Sequence, residues 1–271
     1  MQKQVSLNQK PILKFIFLLF ISISVLFPQI KDSDKPIYFV QITDSHFDEN
    51  ESEERIGKII NSVNQLPMEI ECVVHTGDVT QEKLHDKAVV DKAVAIFKGF
   101  NPPVQFVAGN HDIMKETYES DKTTFINNFD SLITYNEYKG VVFLTVFTEP
   151  LAQSFIDKSF NPLLELETRL KKSSGKPVIV FHHSPSVKDF YRNQMHDSWE
   201  KDRRDEWITL INKYNVKAVI TGHFHRDEHH WLGSVPLYVS APISAYWGRQ
   251  LTYRIYEYKN GKIGYRTQYL Q

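Results

Sequence analysis

Acidic, amide and imidazole side chains recur in five short clusters along this chain: Asp44-Ser45-His46, Gly77-Asp78, Gly109-Asn110-His111-Asp112, His182-His183 and Gly222-His223-Phe224-His225. Together they offer carboxylate and carboxamide oxygens beside several imidazole nitrogens. That donor mixture suits borderline divalent ions such as Zn, Fe, Mn or Co better than Ca. Each cluster follows a short apolar, β-like run: Ile37 to Ile42, Ile70 to His75, Val104 to Val107, Val178 to Phe181 and Val219 to Thr221. If these runs are neighbouring strands of one sheet, their carboxyl ends bring the clusters together where open α/β sheets bind ligands. The expectation is a metal cage.

The elements that would position the cage can be read from periodicity. Glu51 to Leu66 places Ile56, Ile59, Ile60 and Val63 at helical spacing, and Ser198 to Tyr214 does the same with Trp207, Leu210, Ile211 and Tyr214. A third helix begins at the cap candidate Asn161, has Pro162 at its first position and runs to about Lys172. Near the end of the chain, Leu251 to Tyr258 and Lys262 to Tyr269 flank Asn260-Gly261, a hairpin signal. Strands alternating with helices, followed by an antiparallel section, predict an α/β fold of two packed mixed sheets with helices outside.

Composition narrows the function classes. The 271 residues are 41% hydrophobic and 24% charged, as in an ordinary globular protein. Thirty-two basic residues against thirty-three acidic ones leave a net charge of −1, and the basic residues are scattered. Neither a nucleic-acid partner nor an acidic surface is expected on electrostatic grounds. Cys72 is the sole cysteine, so an intrachain disulfide is excluded and a buried, inert thiol is expected. At the N-terminus, Lys3, Lys10 and Lys14 precede an uncharged stretch from Phe15 to Phe27. This pattern is that of a secretory signal peptide over residues 1–30, with an uncleaved membrane anchor as second choice. The expected protein is exported, periplasmic or secreted, and touches a membrane only through this segment. The folded domain is expected over residues 31–271.

Read in order, D-x-H, G-D, G-N-H-D, H-x-P and G-H-x-H resemble the signature of the calcineurin-like metallophosphoesterases. The resemblance covers about residues 36–245 and is nearest the cyclic-nucleotide phosphodiesterase-like and purple-acid-phosphatase-like branch. It implies a four-layer αββα sandwich with two mixed sheets and two divalent metal ions, Mn, Fe or Zn, at the carboxyl ends of the strands. Carried over by residue, it gives one ion to Asp44, His46 and His225 and the other to Asn110, His183 and His223, with Asp78 bridging. A bridging carboxylate would hold two cations about 3.5–4 Å apart, where they polarise phosphoryl oxygens and lower the pKa of a shared water. Asn110 would ligate through a neutral carbonyl oxygen that does not repel phosphate. His111 would contact the phosphate and protonate the leaving alkoxide, with Asp112 orienting it. His183 fits the H-x-P spacing; its neighbour His182 stays open as a competitor, since adjacent strand residues point to opposite faces.

Other polar residues carry weaker signals. His75 reads as a core residue or one behind a metal ligand, while His85, His196, His229 and His230 read as surface histidines, the last two near the pocket rim. Tyr191, Arg192, Asn193 and Met195 suit either a loop over the metals or a solvated connector. Tyr246, Trp247 and Arg249 offer an aromatic wall and a guanidinium, though such residues more often simply pack. The reading these residues carry is a dinuclear-metal-dependent hydrolase of phosphate esters, either phosphodiesterase or phosphatase, using a metal-bound hydroxide on a small-molecule or protein phosphoester. The alternative is a non-catalytic metal-binding or protein-interaction module of the same fold.

Overall fold

Most strands are apolar on both faces, and that decides the layering. The computed structural model describes residues 35–49, 51–155, 157–188 and 199–271; the expected signal segment, Tyr191, Arg192, Asn193, Met195 and His196 lie outside them. In chain order the elements are β1 (Ile37–Ile42), α1 (Ser52–Asn64), β2 (Val73–His75), α2 (Lys87–Phe97), β3 (Val104–Phe106), α3 (Tyr118–Asn128), β4 (Ile133–Tyr138), β5 (Val141–Val146) and α4 (Glu149–Ala152). There follow α5 (Pro162–Lys172), β6 (Val178–Phe181), α6 (Lys201–Lys213), β7 (Val216–Thr221), β8 (Glu228–Leu232), β9 (Val235–Val239), β10 (Thr252–Lys259) and β11 (Lys262–Tyr269). The strands form two mixed sheets, ordered β11-β10-β1-β2-β3 and β4-β5-β6-β7-β9-β8.

Alternation along each strand sends side chains to two different cores. Phe39, Val74, Phe143, Ile179, Phe181, Ile220 and Tyr256 meet between the sheets. The intervening Val40, Ile42 and Val73 pack beneath α1 and α2, and Val142, Leu144, Val178, Val180 and Val219 pack beneath α5 and α6. The result is the four-layer αββα sandwich. Its middle is fixed by ring geometry: Phe39 stacks on Tyr256 at 4.9 Å and meets Phe143 edge-on at 4.8 Å.

The expected local signals have identifiable structural counterparts. In α1 the residues at helical spacing, Ile56, Ile59, Ile60 and Val63, are the buried ones. Asn161 caps α5 by accepting from the amides of Leu163 at 3.1 Å and Leu164 at 3.2 Å, with Pro162 at the first position. Asn260 and Gly261 have φ of 51° and 77°, the two left-handed residues of a type I′ turn joining β10 to β11. One expectation is corrected. The strands that end in polar clusters do not share a sheet: β1, β2 and β3 belong to one, β6 and β7 to the other. Among the described residues no helix is long and apolar enough to cross a membrane.

Cys72 is fully buried between the sheets, and burial pushes its thiol up from its usual value. It is therefore expected to resist a thiol reagent in the native protein and to react stoichiometrically once denaturant is added. Rapid labelling of the folded protein would contradict this packing.

Candidate metal centre

Five of the cluster residues hold left-handed backbones: φ is 52° at Asp44, 42° at His46, 53° at Asp78, 69° at His223 and 52° at His225. Residues with a Cβ rarely adopt this region, and each costs about 1–3 kcal/mol that the surroundings must over-determine. The surroundings do so by zipping the loops together. Asp44 N donates to Gly77 O at 3.0 Å, His46 N to Asp78 O at 3.0 Å and Phe47 N to Val79 O at 2.9 Å, so the turns after β1 and β2 form one hydrogen-bonded unit. The turn after β7 crosses from the other sheet, and His223 N donates to the Asp44 carboxylate at 3.1 Å. Two glycines permit this closeness. A Cβ on Gly109 would overlap Asp78 Oδ1 and lie 2.5 Å from its amide; one on Gly222 would overlap Thr43 Oγ1 and lie 2.5 Å from Asp44 Oδ2.

Side-chain donors converge in two groups that share Asp78. The first is Asp44, His46, Asp78 and His225, the second Asp78, His183 and His223, and within each group the ligand atoms lie within 4.8 Å of one another. In the first, His225 Nε2 is 3.1 Å from Asp44 Oδ1 and 3.2 Å from His46 Nε2, which is 3.8 Å from Asp78 Oδ2. In the second, His183 Nε2 lies 3.1 Å from Asp78 Oδ2, 3.1 Å from Asn110 Oδ1 and 3.2 Å from His223 Nδ1. Asn110 thereby joins the second group.

This arrangement fits cations. The other nitrogen of His183, Nδ1, faces the Thr76 carbonyl at 2.8 Å and must donate to it. In neutral His183 that leaves the Nε2 lone pair facing a carboxylate, a carboxamide oxygen and a second imidazole nitrogen. A positive charge among them removes the repulsion, and the Thr76 bond fixes the tautomer, as outer partners do for metal-bound histidines. The electrostatics agree. Burial disfavours the Asp78 carboxylate, yet its imidazole neighbours, His183 first, outweigh it and hold the carboxyl well below its usual value. Asp44 is likewise held low against burial, chiefly by His225. Burial lowers His46 to about 4 despite Asp78 and Asp44, which keeps its ring neutral and able to ligate at pH 7.

His182 and His183 separate by strand parity. Ile179 and Phe181 face the partner sheet, and His183 follows them into the cluster; Val180 faces the helices, and His182 follows it to lie against Trp207 at 5.0 Å and Trp199 at 5.6 Å. Burial lowers His182 to about 3. His75 sits behind the first cluster. Its Nε2 meets Ser45 Oγ at 2.8 Å, and Ser45 Oγ donates to Val79 O at 2.8 Å, bracing the turn between Asp44 and His46. His229 and His230 lie on the edge strand β8, with His230 on Glu228, and belong to neither donor group.

Asp112 corrects the expectation that it orients His111. Its carboxylate accepts from the amides of Val79 at 3.0 Å, Thr80 at 2.8 Å and Gly109 at 2.9 Å, so it clamps the Asp78 loop to the Asn110 loop from beneath. Burial, and then the charge of Asp78, push its carboxyl up to about 7 against those amides. The carboxylate at His111 is Glu82, whose Oε1 is 3.1 Å from Nδ1. Nothing in the spacing of Glu82 marked it. Glu149, also missed, is buried at the start of α4, just after β5, and adds negative charge toward His183. It had a readable signal, because Thr148-Glu149 follows an apolar run just as the five clusters do.

The model for the calcineurin-like phosphoesterase family matches residues 37–227 of this chain. The 3',5'-cyclic adenosine monophosphate phosphodiesterase CpdA of Haemophilus influenzae is 24% identical over 205 residues, covering 72% of each chain. The serine/threonine-protein phosphatase CPPED1 of Danio rerio is 26% identical over 235 residues, 73% of this chain and 72% of its own. Among solved structures, a dimetal phosphatase from Danio rerio superimposes with a TM-score of 0.59 over 87% of this chain and 99% of its own. At 13% identity that likeness speaks for the fold alone.

The two donor groups make a stoichiometric prediction for calorimetric titration with Mn or Zn. The unaltered protein takes up two ions and Asp44→Ala takes up one, while Asp78→Ala weakens both sites. Asp112→Ala removes a clamp and no donor, so it keeps the stoichiometry and lowers affinity by about 10–100-fold. Loss of a single site in Asp78→Ala would contradict the shared carboxylate.

Proposed function

This chain belongs to the calcineurin-like phosphoesterases and is a metal-dependent phosphoesterase, and from that footing we propose that it hydrolyses phosphate esters over the cluster centred on Asp78. Asp44, His46 and His225 would hold one divalent cation and Asn110, His183 and His223 the other, with Asp78 available to both. When bound, the pair supplies Lewis acidity for the phosphoryl oxygens and an activated water for attack on phosphorus. The observation that carries this reading is the common membership of Asp78 in both donor groups.

The protein's own groups do the rest. Asn110 completes the second group without adding charge, so a phosphate dianion meets less repulsion than it would from a third carboxylate. His111 stands at the rim, its side chain 32% exposed, with its amide donating to Asp78 Oδ1 at 2.9 Å. That bond sets the residue beside the cluster without consuming its ring. With Nδ1–H donating to Glu82, Nε2 is the atom turned to the proton transfer: it carries a proton to the ester oxygen as the P–O bond breaks. The relatives named above, a cyclic-nucleotide phosphodiesterase and a protein phosphatase, both act on phosphoesters, which supports that substrate class for this chain. The net charge of −1 supports a small or protein-borne phosphoester over a nucleic acid.

Protein reconstituted with Mn or Zn is expected to hydrolyse bis(p-nitrophenyl) phosphate or p-nitrophenyl phosphate, and to lose that activity on chelation. His111→Ala should lower kcat by about 10²–10⁴-fold while metal content, measured by elemental analysis, stays at two ions. Glu82→Gln should cost about 10-fold. Turnover that survives chelation would sink the proposal, and two bound ions with no turnover across a broad phosphoester panel would instead identify a binding module.

A further inference from the structure

The segment that follows β9 runs past the metal centre and carries two aromatic residues with different surroundings. Tyr246 is spent on support. Its ring lies edge-on to His46 at 4.9 Å and stacks on His225 at 5.6 Å with 22° between planes, and its hydroxyl donates to Gln81 Oε1 at 3.4 Å. Trp247 is not buried by comparable packing. Its ring centroid is 5.0 Å from that of His225, yet the residue is 59% exposed.

An exposed indole beside a buried ionic cluster is costly twice over. Its apolar surface stays in water, and its backbone, at φ 53° and ψ 31°, lies in the left-handed region that a bulky side chain rarely enters. The loop nevertheless holds it there by design of its anchors. Arg55 reaches from α1 and donates to Ile243 O at 2.6 Å, Ser244 O at 3.2 Å and Arg249 O at 2.9 Å, pinning the chain on both sides of Trp247. The amides of Ile243 and Ser244 donate to Thr43 O at 2.9 Å and Asp44 O at 3.1 Å, which ties the same loop to the strand end bearing Asp44. The stretch of backbone that carries the indole is thus fixed relative to the Asp44 turn. His111, at the rim, lies edge-on to the buried His46 at 5.2 Å.

We propose that Trp247 is the stacking platform for a flat heteroaromatic ring in the group esterified to phosphate, so that the preferred substrates are nucleotide-like phosphoesters. This rests on the phosphoesterase reading and adds the organic half of the substrate to it. The phosphate is held by the buried cluster and His111. A ring attached to it through a sugar would meet Trp247, which is largely exposed on a backbone already anchored by Arg55. Stacking accepts any base, so selection between ring and no ring is expected, and selection among bases is not. Trp231 and Tyr269 are comparably exposed, at 62% and 56%, but lie on the edge strands β8 and β11. They share the exposure without the site.

The test compares adenosine 5'-monophosphate with ribose 5-phosphate, which offer the same phosphate and the same leaving oxygen and differ by the base. With Mn-loaded protein, the ratio of kcat/KM for the nucleotide over the sugar phosphate should fall about 10-fold or more in Trp247→Leu, mainly through KM. Trp247→Phe should keep most of the ratio, and Trp231→Leu should leave it unchanged. Binding is followed independently by quenching of tryptophan fluorescence. Adenosine 5'-monophosphate should quench the unaltered protein more than ribose 5-phosphate does, and Trp247→Phe should remove the difference. An equal fall for both compounds, or a ratio that Trp247→Leu does not move, overturns the platform. If neither compound is turned over, the quenching comparison still decides the stacking while the hydrolase reading fails on its own assay.

Discussion

The Asp78 carboxylate is the point on which the structure turns. It is buried, held ionised, and faced by His183 at 3.1 Å and His46 at 3.8 Å, while its second oxygen accepts the amide of His111. A buried anion is tolerable when opposite charge and hydrogen bonds compensate it. Here part of the compensation comes from a proton on one imidazole that would otherwise be neutral: burial opposes the charged form of His183, but Asp78, Asp44 and Glu149 raise it to about 10. The site therefore asks for positive charge at the place where its lone pairs converge. Cations bound there would meet that demand and displace protons from the donors, which would couple metal uptake to the stability of the folded state.

Holding such a point requires two sheets that cannot slide. A polar network between them does this just below the metal donors. Gln41, at the end of β1, donates to Thr76 Oγ1 at 2.9 Å and to Thr221 O at 2.9 Å in the other sheet, and accepts from Tyr256 OH at 3.1 Å. Arg254 lies behind it, fully buried, donating to Asp227 at 2.7 Å and resting over the Tyr265 ring at 4.2 Å. Asp227 also accepts the Ala241 amide at 2.9 Å. A buried guanidinium adds little net stability by itself. Its value lies in register, because it fixes the loop two residues beyond His225 against β10 of the opposite sheet.

How much of this was legible depended on whether the signal was local. The donors stood out because each sits at the end of an apolar run, and parity along Val178 to Phe181 was enough to send His183 and His182 to opposite sides. Asn161-Pro162 and Asn260-Gly261 are self-contained signals and produced the cap and the turn they specify. The assignment of strands to two sheets was not local, since β1 and β7 read alike yet pair with different neighbours. Helix α3 buries Phe125 as its sole large apolar residue, too little periodicity to mark it. Asp112 and Glu82 failed for a subtler reason. Adjacency in sequence suggested that Asp112 should serve His111, but the turn at Gly109 points the two side chains apart, and the partner comes from a residue 29 positions away.

Strain and specificity then divide between two regions of the molecule. The left-handed turns at Asp44, Asp78, His223 and His225 are locked by bonds from several directions: Asp112 beneath, Ser45 and His75 behind, and the crossing amide of His223. A geometry determined from so many sides tolerates little variation, and it recognises what all phosphoesters share. Trp247 belongs to a loop held through its backbone, by Arg55 at three carbonyls and by the amides of Ile243 and Ser244 on Thr43 and Asp44. Such anchoring fixes the path of the chain while leaving the side chain free to differ. The chemistry is therefore locked where the sheets end, and the proposed choice of substrate rests on one side chain, Trp247, of a turn whose neighbouring residues brace the donors.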